Sequence, residues 1–473
     1  MSRVIVIGAG PAGLAAARAA RARGQRVVLL DASDYVGGQY WRHLPPARPS
    51  RRESALHHDW STFQSLRARL EHDPMCEIVT SAHVWNLDRG RINVLIGEAD
   101  ASAREARHYD ADAVVLANGA FDRVLPVPGW DLPGVFSAGG AQAFAKGERI
   151  AVGERVVVAG AGPFLLPVAS SLVQAGSTVL GVYEASRLSQ LVRAWGARPW
   201  ELLGTAHKVT ELAGYALTHL RERIPYVTGH TVTAIHGEDR VRAVTISKLD
   251  AAWRPLAGSE STLEVDAVCL GHGFTPRLEL ALAAGCRLTE QRFVEVDEEQ
   301  RTSVTSFFAA GEITGIGGVD AALSEGGIAG HVAAGGRLED PVLRVLVARR
   351  RALARFAERL ARAHAIGERW SDWLEDDTII CRCEEVDYAR LRATSAQTQS
   401  SGLRSLRLVS RAGLGVCQGR VCGRNVEAIF AAHAPDGRLS GTMDRRPIAT
   451  PIRLGELATS GDAAVTSKYQ TPR

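Results

Sequence analysis

The chain has 473 residues, 46% apolar and 23% charged, which is too many for one ordinary core and calls for two or three soluble globular domains. Lysine plus arginine (56) exceed aspartate plus glutamate (52) by only 4, and the basic residues are scattered, so neither nucleic acid nor an anionic membrane is indicated as a partner. No signal peptide and no membrane span are expected, and four of the seven cysteines crowd into 381–422, which argues for a metal or cluster site in a reducing cytoplasm rather than a secreted disulfide scaffold.

The first thirty-one residues predict the unit around which the rest is organised. A β-branched run, Val4-Ile5-Val6-Ile7, breaks at Gly8. An alanine-rich segment of helical character runs from Pro11 to Arg23 and stops at Gly24, and a second apolar run, Val27-Val28-Leu29-Leu30, ends on Asp31. Strand, turn, helix, strand and terminal acid in that order predict a dinucleotide-binding βαβ unit. Within it Gly8 permits the tight turn, Gly10 lets the backbone approach a pyrophosphate, and Gly13 lets helix and strand pack closely. The N–H groups exposed at the helix start, at Pro11-Ala12-Gly13, would hold phosphates, and Asp31 would accept hydrogen bonds from two ribose hydroxyls. Next, Gly37-Gly38-Gln39-Tyr40 is spaced to pass over the middle of such a cofactor, with a plain surface turn as the alternative. Disulfide reductases with this kind of N-terminus place a Cys-x4-Cys pair just beyond such a loop, and here no cysteine precedes Cys76. A helix over His58 to Leu70, strands near Glu77 to Thr80 and Arg91 to Ile96, and a buried strand from Ala113 closing on Asn118-Gly119 follow.

The opening pattern returns at Arg155: Val156-Val157-Val158-Ala159-Gly160-Ala161-Gly162-Pro163, a helix, Gly176, a strand and then Glu184. Leu165 stands where the third glycine should be and is expected to push helix and strand apart, while Phe164 adds bulk beside the pyrophosphate path. NAD at this second site is thus weighed against a retained but emptied or repurposed fold. If it binds, Glu184 favours NAD over its phosphorylated relative, because a carboxylate repels a ribose phosphate. The run Ala267 to Phe274 is another buried strand closing on glycines. In it Cys269 reads as core, and His272 as a hydrogen-bonded structural histidine rather than a cofactor contact. A strand from Ser306 ends on Gly311-Glu312, ahead of a glycine loop and a helix beginning near Asp320. No carboxylate or histidine has a spacing that nominates it as a general base. From Leu343 to Trp373 a basic segment of helical period reads as a linker helix with a solvated charged face.

The order of a GxGxxG unit, a small-residue strand end at Asn118-Gly119, a second GxG unit and Ala309-Ala310-Gly311-Glu312 resembles the flavoprotein pyridine-nucleotide oxidoreductases with two dinucleotide-binding domains, over about Met1 to Leu338. The resemblance implies FAD in the first domain and NAD(P) in the inserted one. It further implies that Gly311 and Glu312 contact the flavin ribityl chain, that the backbone of Val319 faces the flavin ring, and that Val84 lies near the adenine. This chain has Glu312 and Asn118 where the family has an aspartate and an Ala-Thr-Gly turn.

Cys381-x-Cys383 and Cys417-x4-Cys422, separated by thirty-three residues, offer four thiolates to one zinc or two to each iron of a [2Fe-2S] cluster. Glycines around Cys417 leave backbone N–H groups free to hydrogen-bond cluster sulfides. The segment resembles the bacterioferritin-associated-ferredoxin type of [2Fe-2S] domain, which implies the cluster. Together with Phe121-Asp122-Arg123, Ser137 to Gln142 and Cys417-Gln418-Gly419-Arg420, nearly the whole chain resembles the α-type subunit of multi-subunit amino-acid and amine dehydrogenases. That group includes opine oxidases, D-hydroxyproline dehydrogenase, hydrogen cyanide synthase and sarcosine oxidase. The resemblance implies a partner β subunit of the D-amino-acid-oxidase flavoprotein class, with or without a small third subunit. It also implies that the partner oxidises a C–N bond and that this chain passes the electrons to an acceptor.

The expected architecture is α/β: two Rossmann-like dinucleotide-binding domains, one inserted in the other, plus a small helical [2Fe-2S] domain. Expected boundaries are 1–150 and 265–340 for FAD, 151–264 for the inserted domain, 341–375 for the linker helix, 376–440 for the cluster domain and 441–473 for a C-terminal tail. Two other readings compete. One is a stand-alone NAD(P)H-dependent flavin reductase serving a ferredoxin-like acceptor, against which Leu165 counts. The other is a non-catalytic assembly subunit with a zinc-stabilised tail.

Overall fold

A computed structural model of the chain describes residues 3–45, 47–48, 53–88, 91–197, 204–434, 439–444, 446 and 448–458. The β-branched runs near the N-terminus are apolar on both faces, as a sheet covered on both sides requires. They form a five-stranded parallel sheet in the order Phe307–Ala309, Ala113–Leu116, Arg3–Ile7, Arg26–Leu30, Cys76–Val79. On one face Val4, Val6, Val27 and Leu29 meet the helices Pro11–Ala22 and Gly318–Ala333. On the other, Ile5, Ile7, Val28 and Leu30 meet an antiparallel sheet of Ala82–Asp88, Arg91–Ile96 and Glu105–Asp110.

The two helices touch backbone to backbone. A Cβ at Gly326 would lie 2.1 Å from the Ala12 carbonyl oxygen, and one at Gly330 would lie 2.0 Å from that of Ala16. Only glycine at these positions, opposite alanines, allows so close a crossing.

A second five-stranded parallel sheet follows the order Tyr226–Thr228, Thr178–Glu184, Arg155–Gly160, Ala267–Gly271, Val135–Ser137. This corrects the boundaries 151–264 at both ends. Val135–Ser137 pairs with Ala267–Gly271, so both strands belong to the inserted domain. The crossing between domains is a two-stranded antiparallel neck, Ala120–Asp122 against Phe274–Pro276.

The segment 341–375 is not a solvated linker. Its helix, Arg344–Ala363, buries Leu353 and Ala363. Phe356 stands 5.3 Å from the Trp195 ring, and the buried Arg359 donates to the Trp195 carbonyl at 3.0 Å. Arg351 meets Glu298 at 2.9 Å, and Arg349 pairs with Asp320. The aliphatic stems of its arginines cover apolar surface while their heads reach carboxylates on the first domain.

The unit beyond it is a short hairpin, Ile379–Cys381 with Val386–Asp387, and three helices, Tyr388–Thr398, Leu403–Ser410 and Gly423–His433. Its core of Ile380, Val386, Leu391, Leu406, Val426 and Phe430 is continuous with that of the inserted domain. Trp373 Nε1 donates to the Pro126 carbonyl at 2.9 Å, and Asn425 Nδ2 donates to that of Val124 at 2.7 Å.

The stretch read as a tail, 441–473, is a strap over its described residues. Met443 packs against Gly413, Gly419 and Gly423. The Ala449 N–H and Thr450 hydroxyl donate to the carbonyls of Trp85 and Val84, and Glu456 pairs with Arg104 at 2.6 Å. The third unit is thereby fastened to both others.

Candidate functional site

The first nucleotide turn is shaped by three close approaches. Gly8 has φ +106°, and a Cβ there would lie 2.3 Å from the Ala117 carbonyl oxygen. At Gly13 a Cβ would lie 1.7 Å from the Gly8 oxygen, and at Gly38 it would lie 2.8 Å from Gly10 Cα. The loop Gly37-Gly38 therefore lies over the turn, held by the Gly37 N–H donating to the Ala9 carbonyl at 2.8 Å. Gln39, next in the loop, is exposed. Gly10 caps the helix and Pro11 takes its first position. Among the described residues the N–H groups of Ala12 and Gly13 have no backbone partner, since the first helical bond runs from Leu14 to Gly10 at 2.9 Å. Free N–H groups at a helix start are an anion cradle.

Around this turn the structure gathers the other sequence-nominated residues. Asn118 and Gly119 follow the neighbouring strand, with the Asn118 nitrogen 3.3 Å from where a Gly8 Cβ would be. The Asn118 Oδ1 is buried with no hydrogen-bond partner among the described residues. Gly311, at φ +82°, would put a Cβ 2.9 Å from that of Ala12. Val84 lies two residues beyond Ala82, whose N–H donates to the Asp31 carbonyl at 2.7 Å.

Two acids of the turn also hold the backbone around it. Asp31 is buried, and its two oxygens accept the N–H groups of Ala9 and Ser33. It braces the glycine turn, and each carboxylate oxygen keeps a further acceptor site. Glu312 opens onto the cleft but accepts the Gly318 N–H at 2.9 Å, capping the helix that carries Val319. Burial pushes the Glu312 carboxyl up to about 7, with the Gly318 N–H pulling the other way. Behind it, Glu325 accepts from the Gly311 N–H at 2.8 Å and the Thr314 hydroxyl at 2.7 Å. The sequence reading missed Glu325 as the residue that holds the Gly311-Glu312 corner, although it sits in the run Glu325-Gly326-Gly327 just past the glycine loop.

The second turn differs from the first in its donors. Leu165 is buried beside Ala138 and Gly271, and the helix starts late, at Leu165. The N–H groups of Leu165 and Leu166 are taken by the carbonyls of Gly162 and Pro163 at 3.2 and 3.1 Å. Glu184 is fully buried. It accepts the N–H groups of Gly162 and Ser186 at 2.8 and 2.9 Å, lies 3.3 Å from the Tyr226 hydroxyl, and faces His364 at 3.3 Å. His364 follows directly on the helix Arg344–Ala363. The acid that would hold a nucleotide ribose is thus occupied from inside. His272 is likewise structural: it is buried, takes the Leu125 N–H at 3.3 Å, and burial drives its ring down to about 3. Cys269 is core, with its thiol pushed up by burial.

The hairpin and the loop before the helix Gly423–His433 bring the four cysteines together. The Cys422 thiol lies in hydrogen-bond reach of those of Cys381 and Cys417, and the Cys383 thiol in reach of that of Cys417. Backbone N–H groups converge on the same sulfurs: Gly413 donates to Cys381 Sγ at 3.4 Å and Glu384 to the same atom, while Val421 and Gly419 donate to Cys417. The Cys422 thiol first, helped by these donors, holds Cys381 down to about 6 and Cys417 to about 4. The contacts run as a chain, and among the described residues no three His, Cys, Asp or Glu side chains surround a single point as one metal ion would require. This loop is docked on the first domain through one carboxylate. Glu279 receives Arg420, from within the Cys-x4-Cys loop, at 2.7 Å and Arg446, from the strap, at 3.0 Å.

Two dinucleotide folds joined by a neck, with an open glycine turn in the first, define a two-domain oxidoreductase, and residues 2–326 match the model of the pyridine nucleotide-disulphide oxidoreductase family. The chain belongs to that family. It is 32% identical to an opine oxidase subunit of Rhizobium meliloti, an alignment covering 99% of this chain and 90% of the relative. It is 29% identical to the HcnB subunit of the hydrogen cyanide synthase of Pseudomonas aeruginosa, over 89% of this chain and 90% of that one. Among solved structures, the L-proline dehydrogenase of P. horikoshii superposes with a TM-score of 0.62 at 19% identity, covering 96% of this chain and 79% of that one, which is a likeness of fold. No described helix is long and apolar enough to cross a membrane.

Proposed function

We propose that this chain is the electron-handling subunit of a heteromeric flavin dehydrogenase that oxidises a C–N bond of an amino acid, imino acid or opine. The substrate would be oxidised on a partner FAD subunit of the D-amino-acid-oxidase class. The observation that carries the reading is the match over 99% of the chain to a protein named as a subunit of opine oxidase. The second turn supports it, because Glu184 is engaged by Gly162 and His364 within the protein, which disfavours a nicotinamide nucleotide there as the electron source.

In this reading FAD lies along the first turn. Its phosphates would meet the free N–H groups of Ala12 and Gly13 under the Gly38 loop, and the orphaned Asn118 Oδ1 offers an acceptor in the same cleft. A [2Fe-2S] cluster would be held by Cys381, Cys383, Cys417 and Cys422. Four adjoining thiols, two of them held low, with converging N–H donors suit an anionic cluster. Together the two groups would convert two-electron input to one-electron output. The residues between them have defined tasks. Glu279 holds the cysteine loop to the first domain, and Arg277, whose guanidinium lies 4.4 Å from the Phe121 ring centroid and whose backbone N–H donates to the Gly119 carbonyl, ties that anchor to the nucleotide turn.

The test is the visible spectrum of protein purified without air, with iron and acid-labile sulfide assayed, before and after NADH. Flavin and cluster bands that NADH leaves unchanged, and that bleach when the co-expressed partner is given its amino acid or opine, are expected. Prompt bleaching by NADH alone would make the chain a reductase in its own right, and zinc without iron would remove the cluster.

A further inference from the structure

We propose that Lys146 and Tyr40 form a cationic wall of the first domain's cofactor cleft, with the Lys146 ammonium facing an isoalloxazine ring and stabilising negative charge placed on it. The proposal deepens the FAD reading above and rests on it.

Lys146 lies in Phe144–Glu148, a turn of π-helix, a geometry that recurs where a side chain is aimed for function. It is 8% exposed. Among the described residues its Nζ has no carboxylate and no hydrogen-bond acceptor; it faces the Tyr40 ring, whose centroid is 5.7 Å away. The neighbouring Arg149 already has its own partner, Glu53, at 2.6 Å, and adds repulsion rather than relief. An ammonium on a largely buried side chain with no anion beside it is poorly compensated. Burial brings Lys146 down to about 8, so at neutral pH the charge is still there to be compensated. Tyr40 is half-buried, its hydroxyl has no hydrogen-bond partner among the described residues, and burial first drives its acidity down.

The placement says which anion. Tyr40 is two residues past Gly38, which lies on the Gly10 turn. The Tyr40 and Lys146 pair therefore flanks the loop that lies over the phosphate turn. A ligand there must be flat, to lie along Tyr40, and able to carry negative charge. When an isoalloxazine takes two electrons and one proton from a donor, it gains one negative charge, while Lys146 keeps its proton throughout. A fixed ammonium should favour that charged form.

The experiment compares wild type, Lys146→Met and Lys146→Arg as full-length holoprotein, titrated with dithionite in a spectroelectrochemical cell. A charged hydrogen bond or close ion contact is worth about tenfold or more in equilibrium. The Met variant should therefore favour the reduced flavin about tenfold less, a midpoint about 30 mV lower for a two-electron couple, and the Arg variant should restore most of it. In parallel, an amine-labelling reagent at pH 8 should modify Lys146 of the flavin-free wild type and spare it once FAD is added, which keeps the test informative if a variant does not fold. FAD bound to Lys146→Met with an unchanged midpoint, or labelling of Lys146 indifferent to FAD, overturns the proposal. A wild type that takes up no FAD overturns the reading beneath it instead.

Discussion

Gly326→Ala sets two physical effects against each other. Helix propensity alone favours alanine by about 1 kcal/mol. In the structure, however, the new Cβ would stand 2.1 Å from the Ala12 oxygen and 2.8 Å from its carbonyl carbon, both backbone atoms of a packed helix. No side chain can swing away, so the helices Pro11–Ala22 and Gly318–Ala333 must separate by roughly 1 Å. Overpacking of this kind costs up to about 3 kcal/mol, which leaves a net loss of about 2 kcal/mol. For a domain of this size that is about 4–8 °C in the midpoint of flavin release. Because the Ala12 N–H is one of the two free donors of the nucleotide turn, FAD affinity should also fall, by about tenfold for one weakened hydrogen bond to a charged group. Gly330→Ala is the control. Its Cβ would stand 2.0 Å from the Ala16 oxygen, a turn away from the free N–H groups, so the midpoint should drop similarly while affinity changes less. The assays are thermal release of flavin fluorescence and titration of the apoprotein with FAD. A Gly326→Ala protein as stable as wild type, with unchanged affinity, would refute the helix contact as the basis of the site.

Cys417→Ser should abolish iron and acid-labile sulfide while flavin absorbance is kept, since the cysteine unit's core is shared with the inserted domain and not with the first; loss of both groups would show that the units do not fold independently. Asp31→Ala strips the acceptor from the Ala9 and Ser33 N–H groups, a cost of about 1–3 kcal/mol for buried unpaired donors, and should weaken FAD binding without altering the cysteine site. The strap should be acid-sensitive. A hydrogen bond from Arg104 first, and the Arg453 N–H next, hold the Glu456 carboxyl down to about 2 from an ordinary 4.5. A depressed acid stabilises the fold above its ordinary value and loses that contribution as pH falls through the folded value. Hydrogen-exchange protection at 449–458, taken relative to the unfolded rate at each pH, should therefore be high above about pH 4.5 and fall towards pH 2, and Glu456→Gln should show low protection throughout. His364→Ala should loosen the helix Arg344–Ala363 against the inserted domain yet confer no NADH oxidation, because Leu165 and Leu166 still spend their N–H groups within the turn.

Much of this molecule is legible along the chain, because the physics involved is local. A β-branched run, a glycine where φ must be positive and an alanine-rich helix specify a βαβ unit within thirty residues, and the pattern at Val4 to Asp31 is the unit observed. The two short-spaced cysteine pairs also announce their meeting, since each pair is held on one loop or hairpin. What only the tertiary structure decided is where long-range partners fall. Asp31 reads as a strand-terminal acid, and only the fold shows its oxygens also bracing the N–H groups of Ala9 and Ser33. Glu184 reads as its counterpart until His364, 180 residues later, is found against it. The basic run from Leu343 has the composition of a solvated face, and becomes a wedge because Trp195, Glu298 and Asp320 lie opposite it. Residues past 440 show no regular period, and their role as a strap depends on free carbonyls at Val84 and Trp85 on a sheet edge encoded far upstream. Hydrophobic period records which face of an element is buried. It carries no record of what arrives to bury it, and that is settled only when the distant segments pack.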